Sequence, residues 1–214
     1  LLARVYDHVK HRFIKGFRML TLGWSDGNSF VPLAFSLLSS ENGKNRIVET
    51  TDMDKRLNGY RRRQEAMTKG TEVLVSLLRQ AREYGHKARY VLFDSWFAFP
   101  VVLANVLSVG FHSIAMVKNP PKIYYIHNGE KKPLSQIYKV LRKKPGKAKI
   151  LASTLVQLNQ RLDGKHIDAK LVFVRDRNRS KKWLALITTD IELPDEEVVR
   201  LYGKRWDIEV FFKT

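Results

Sequence analysis

The chain has 214 residues, 44% of them apolar, and carries 39 Lys and Arg against 21 Asp and Glu, a net charge of +18. That length and apolar share suit one large domain, or one domain with an insertion, built on a real core; the surplus positive charge on a folded surface favours a polyanionic partner, nucleic acid first and anionic membrane second. Without cysteine there is no disulfide framework or thiolate metal site, and the longest apolar stretch, Trp96 to Leu107, is too short to span a bilayer and contains Pro100 and Asn105.

In chain order, residues 2–15 read as a short basic helix, with His8 and His11 on its surface at i,i+3. "FRMLTLGW" and "SFVPLAFSLL" flank Ser25-Asp26-Gly27-Asn28, an Asp-Gly hairpin signal between two β-rich runs. Residues 41–70 are polar and Gly-punctuated, a surface connection that includes Arg61-Arg62-Arg63. Val73, Leu74, Leu77, Leu78 and Ala81 then recur at helical spacing up to Gly85, which suits a C-terminal cap. "RYVLFD" reads as a buried strand ending in Asp94, Pro100 to Leu107 as a helix and "FHSIAMV" as a strand, which together give an α/β core. Between 122 and about 190 the character shifts to β segments separated by basic turns, with one helix near 134–142. The last helix starts at Pro194, with Asp195, Glu196 and Glu197 in its first turn. The expected organisation is a core over 1–121, a β-rich insertion over 122–190 and a core C-terminal helix over 191–214. The sequence has no initiator methionine or signal-peptide pattern, and both ends are expected to be cut.

Chemistry could reside at few positions. Asp94 stands where a buried strand meets a turn; such an aspartate caps turns and helices, and the carboxyl ends of strands in open α/β sheets also favour ligands. In "YGKRWDIEVFFKT", Tyr202, Arg205, Glu209 and Lys213 fall within an arc of about 80° at helical rotation, so one charged ligand could meet all four. Glu209 has plainer uses: an i,i+4 pair with Lys213, worth about 0.2–0.5 kcal/mol on a solvated helix, or a partnership with Arg205. Trp206, Ile208, Val210, Phe211 and Phe212 suggest that this helix is largely packed, and a glutamate among them needs a partner, a proton or a metal ion. Asp26 fits a hairpin turn better than a metal site, and Asp52 and Asp54 have the spacing of a metal pair in a solvated loop. Three basic runs, Arg61-Arg62-Arg63, Arg142-Lys143-Lys144-Lys147-Lys149 and Arg175-Arg177-Arg179-Lys181-Lys182, are either solvated faces or DNA-backbone contacts. Trp183 and Trp206 could stack on an extruded base or pack in the core.

"LGWSDGNSFVPLAFSLLSS", "YVLFDSWF" and "LYGKRWDIEVFFK" together resemble the transposases of bacterial insertion sequences in the DDE superfamily, in particular the insertion-sequence-4 group. The last segment matches that group's Tyr-x2-Arg-x3-Glu signature through Tyr202, Arg205 and Glu209. The resemblance implies a ribonuclease-H-like core whose three carboxylates hold two divalent ions, Mg²⁺ or Mn²⁺, with Asp94 as second acid and Glu209 as third. The first would lie on a strand upstream of Leu1. It implies double-stranded DNA, both transposon ends and target, as substrate, with Tyr202 and Arg205 gripping phosphates, Lys213 adding a cation, and a homodimer assembled on DNA in the bacterial nucleoid and not at a membrane. Long-range alternatives are an inactive DNA-binding remnant and a metal-dependent nuclease of the same fold.

Overall fold

A computed structural model describes residues 1–7, 10–48, 52–120, 122–145, 148–176 and 182–213. His8, Lys147, Arg177, Arg179 and Lys181, named above, lie outside the described residues. The chain divides into two compact units, Leu1–His86 and Lys87–Thr214.

The first unit opens with two hairpins. β1 (Ala3–Asp7) pairs antiparallel with β2 (Arg12–Gly16), where a basic helix was expected. The reason is local: Val5, Tyr6, Phe13 and Ile14 prefer extended backbone, Tyr6 faces Phe13 edge-on at 5.3 Å, and His11 turns the chain at φ 48°. β3 (Arg18–Ser25) and β4 (Phe30–Leu38) form the hairpin signalled by Asp26-Gly27. The polar stretch that follows is not all connection, because α1 (Asn58–Met67) carries the three arginines. α2 (Gly70–Glu83) seats Val73 and Leu77 on Leu38, Leu20, Leu22 and Ala34, the inner side of the β3–β4 hairpin. Gly85, at φ 79°, takes the left-handed position that stops it, where a side chain would be strained.

The second unit is one seven-stranded mixed sheet in the order β5-β6-β11-β10-β9-β7-β8. Its strands are β5 (Tyr90–Phe93), β6 (His112–Val117), β7 (Tyr124–His127), β8 (Glu130–Pro133), β9 (Ile150–Leu162), β10 (Lys165–Arg175) and β11 (Trp183–Thr188). Among the described residues only β5 and β6 run parallel, joined through α3 (Pro100–Ser108), which has the proline in its first turn and buries Val102, Leu103 and Val106. The strands from 122–190 join this same sheet through β11 on β6. α4 (Leu134–Val140) brings Tyr138 to Phe173 and Trp183, with ring centroids 4.7–5.3 Å apart. α5 (Asp195–Gly203) sets Val198, Val199 and Tyr202 on the sheet face formed by Ile114, Ile150, Val172, Val174 and Leu186. This mixed α/β arrangement is compatible with a ribonuclease-H-like fold. Among the described residues no helix is long and apolar enough to cross a membrane.

Candidate active site at the end of the parallel strands

Asp94 follows the last residue of β5. Phe93 is buried, and Asp94 turns the chain with one oxygen: Oδ1 accepts the Trp96 amide at 2.8 Å, and the Asp94 carbonyl accepts the Phe97 amide at 3.3 Å. The turn role is therefore real, and it uses half of the carboxylate; among the described residues Oδ2 accepts no hydrogen bond. Asp94 stands at the carboxyl end of a parallel pair of strands, where open α/β sheets place ligands.

The charge of Asp94 reaches Tyr202 on α5. Burial pushes the Tyr202 phenol up, Asp94 adds to that, and Arg205 with the Met116 amide pulls the other way without cancelling it. Arg205 lies 5.8 Å from the Tyr202 ring centroid and 5.3 Å from that of Trp206, and donates from Nη1 to Glu209 Oε1 at 2.6 Å. Its side chain is only 18% exposed, and its Nε is buried with no hydrogen-bond partner among the described residues. Burial works against the guanidinium's charge, but Glu209 and Tyr202 hold its pKa above the ordinary value. The structure thus brings Tyr202, Arg205 and Glu209 together through direct contacts, and Asp94 acts on Tyr202 through its charge alone.

The single helical face expected for the closing segment is divided. α5 ends at Gly203, and α6 (Trp206–Phe211) begins after a tight turn in which Lys204, Arg205 and Asp207 each bond three residues back. Glycine weakens a helix interior by about 1 kcal/mol, which explains the break at that position. Lys213 falls beyond the end of α6, is exposed and forms no ion pair with Glu209 among the described residues. The helix is also not packed as expected: Trp206, Val210, Phe211 and Phe212 are 40–58% exposed.

The remaining candidates separate cleanly. Asp26 Oδ1 accepts the amides of Asn28 at 2.8 Å and Ser29 at 2.7 Å, a turn role. Asp54 is held below its ordinary pKa by the Arg56 guanidinium, and Asp52 is exposed. His11 is a turn residue. Arg61, Arg62 and Arg63 fan around α1; Arg62 pairs with Glu65 at 3.1 Å, and Arg63 is half-buried. The second and third basic runs meet, because the Arg175 amide donates to the Lys149 carbonyl (2.9 Å) and Arg175 stands opposite Trp183 in the β10–β11 ladder. Arg142, Lys143, Lys144, Lys149 and Lys182 are exposed there, with the Lys143 ammonium 4.8 Å from the Tyr138 ring centroid. Trp183 is committed to the cluster with Tyr138 and Phe173. Two residues that the sequence reading passed over flank Asp94: Trp96, 58% exposed, and Lys118, whose ammonium lies 4.9 Å from the Trp96 ring centroid. The signal was an aromatic residue directly after an Asp-Ser turn and a lysine at the end of a neighbouring strand.

Asp94 and Glu209 offer hard oxygen donors, the chemistry that Mg²⁺ or Mn²⁺ requires. They fit such an ion in kind; in number they stop short, since no group of three His, Cys, Asp or Glu that could hold a metal occurs among the described residues. In comparison with known proteins, the family model described as DDE superfamily endonuclease matches residues 1–172, most of the chain, a span that includes Asp94 and ends before α5. No curated protein matches the chain.

Proposed function

Since the chain belongs to the DDE superfamily of endonucleases, we propose that it is the catalytic part of an insertion-sequence-4-like transposase that cuts DNA at transposon ends and joins the cut strand to a target. The observation that carries this reading is the contact of Arg205 with Tyr202 and Glu209, on a helical segment whose Tyr202 packs on the same sheet whose parallel strand β5 leads into Asp94.

In this reading Asp94 and Glu209 hold divalent metal, together with a first aspartate on sequence upstream of Leu1. Among the described residues β5 pairs with β6 alone, which leaves its other edge available to such a strand. When bound, two ions at such a site activate the attacking oxygen and stabilise the leaving one in an in-line displacement at phosphorus. Arg205 orients Glu209 until DNA arrives, and its guanidinium then has a fork suited to a phosphate; Tyr202 supports it from below. The joined basic surface of Arg142, Lys143, Lys144, Lys149, Arg175 and Lys182 holds duplex backbone without reading sequence, and Arg61, Arg62 and Arg63 add further phosphate contacts. Two copies assemble on a pair of ends, as strand exchange between ends and target requires. β segments between 122 and 190 serve as the family's insertion.

The test is a reaction of the complete natural protein with labelled duplex carrying the ends of its own element, in Mg²⁺ or Mn²⁺. Strand-transfer products support transposition. Cleavage without joining reduces the assignment to a nuclease, and binding without metal-dependent cleavage reduces it to an inactive DNA-binding remnant.

A further inference from the structure

The turn after β5 sends a large aromatic side chain into solvent beside the candidate catalytic carboxylate. Asp94 captures the Trp96 amide, while Phe97 turns back so that its ring meets Phe93 edge-on at 6.4 Å. Between them Trp96 stays 58% exposed. An indole left in water forgoes stabilisation that packing would supply, so its position calls for a use. Lys118 supplies a second feature at the same place. β5 and β6 are parallel, with Phe93 opposite Ala115, so the residues following each strand emerge at the same end of the sheet as Asp94. There the Lys118 ammonium approaches the indole ring to 4.9 Å from its centroid.

We infer that Trp96 and Lys118 form a binding site for one unstacked nucleotide, with the base on the indole and a neighbouring phosphate at the ammonium. The inference deepens the proposed function and rests on it. A nucleotide combines a π face with an anion in the way this pair combines an aromatic ring with a cation, and base stacking on aromatic side chains tolerates any base. Within a duplex that face is covered by neighbouring base pairs, so the site selects single-stranded or locally opened DNA. Its place beside Asp94 means that the captured nucleotide lies next to the reacting phosphodiester and fixes which bond is presented.

The test measures affinity by fluorescence anisotropy, without divalent metal, for a mixed-sequence single-stranded oligonucleotide and for the same sequence as duplex. Trp96→Ala weakens single-strand binding by about 5- to 150-fold, the range for loss of one stacked base, and leaves duplex binding near wild type. Trp96→Tyr recovers most of the loss, which separates stacking from a folding defect. Lys118→Ala lowers the salt dependence of single-strand binding by about 0.7 in the log–log slope, one phosphate contact. Wild-type single-strand affinity in Trp96→Ala, an equal loss on duplex, or a Trp96→Tyr variant no better than alanine overturns the inference while leaving the transposase reading in place. A wild-type chain that binds neither DNA form overturns both.

Discussion

Removing the Asp190 carboxylate should loosen the strand that carries Asp94. β5 has four residues and, among the described residues, bonds on one side only, so its position depends on what holds its first residue. Asp190, 5% exposed, accepts the Tyr90 hydroxyl at 2.7 Å and Arg89 Nη2 at 2.8 Å. Arg89 is 66% exposed and recovers most of its loss in water, so its bond contributes about 0–1 kcal/mol. The Tyr90 bond is partly buried and charge-assisted, worth about 1.5–3 kcal/mol. Asp190→Ala should therefore destabilise the second unit by about 2–4 kcal/mol, and Tyr90→Phe by somewhat less. Burial pushes the Asp190 carboxyl up, but Tyr90, Arg89, His112 and the Glu192 amide outweigh it and hold its pKa below the usual carboxylate value. A group depressed in the folded state stabilises above its unfolded pKa, so the gap between wild type and Asp190→Ala should be full at neutral pH and close as the pH falls below about 4. On the alkaline side burial, with Asp190, pushes Tyr90 up to about 12, so its contribution is complete below about pH 10 and is lost as the pH rises from there through about 12. Urea unfolding across pH measures the gap, and hydrogen exchange of the Val91, Leu92 and Phe93 amides reports β5 directly. Equal stability of Asp190→Ala and wild type at pH 7, with unchanged exchange in β5, would refute the reasoning.

Other consequences can be checked separately. Glu209→Gln removes the charge that engages Arg205, so cleavage by the complete protein should fall by at least about 100-fold, a loss of about 2.7 kcal/mol of transition-state stabilisation, with DNA affinity in a gel-shift assay little changed. Arg205→Ala should weaken retention of cleaved end DNA in competition binding while leaving binding of uncut duplex near wild type. At Gly23 a methyl group would run into the Phe30 ring, so Gly23→Ala should cost about 1–3 kcal/mol in thermal unfolding, partly relieved by Phe30→Leu. If Arg142, Lys143, Lys144, Lys149, Arg175 and Lys182 all meet phosphates, the log affinity for duplex should fall with log salt at a slope of about −5, and Lys143→Ala with Lys144→Ala should reduce that slope by about 2.

The parts legible in the sequence were those specified by neighbours in the chain. The period of Val73, Leu74, Leu77 and Leu78 ending at Gly85, the Asp26-Gly27 turn, the apolar run before Asp94 and the proline opening α3 all signal their structures locally. The β1–β2 hairpin was read as a helix because basic residues at i,i+3 masked the alternation of Val5, Tyr6, Phe13 and Ile14. Asn128-Gly129 and Asp163-Gly164, each with both residues at positive φ, were available as two-residue hairpin signals for β7–β8 and β9–β10. Sheet order was not legible, since β11 finds β6 across the whole β-rich segment and no local pattern encodes that pairing. At the candidate site Asp94 could be named from its place at the end of an apolar run and Tyr202, Arg205 and Glu209 from helical spacing, but not that Gly203 would divide the helix or that Arg205 rather than Lys213 would take Glu209. Trp96 escaped notice because exposure of a single tryptophan is decided by the turn around it, not by its neighbours' hydropathy.

The most direct measurement is nicking of supercoiled plasmid by the complete natural protein with and without Mn²⁺, for wild type, Asp94→Asn and Glu209→Gln at matched DNA occupancy. The account requires metal-dependent nicking by wild type and none above background from either variant. Nicking that persists in both variants, or that proceeds unchanged in chelator, would contradict it.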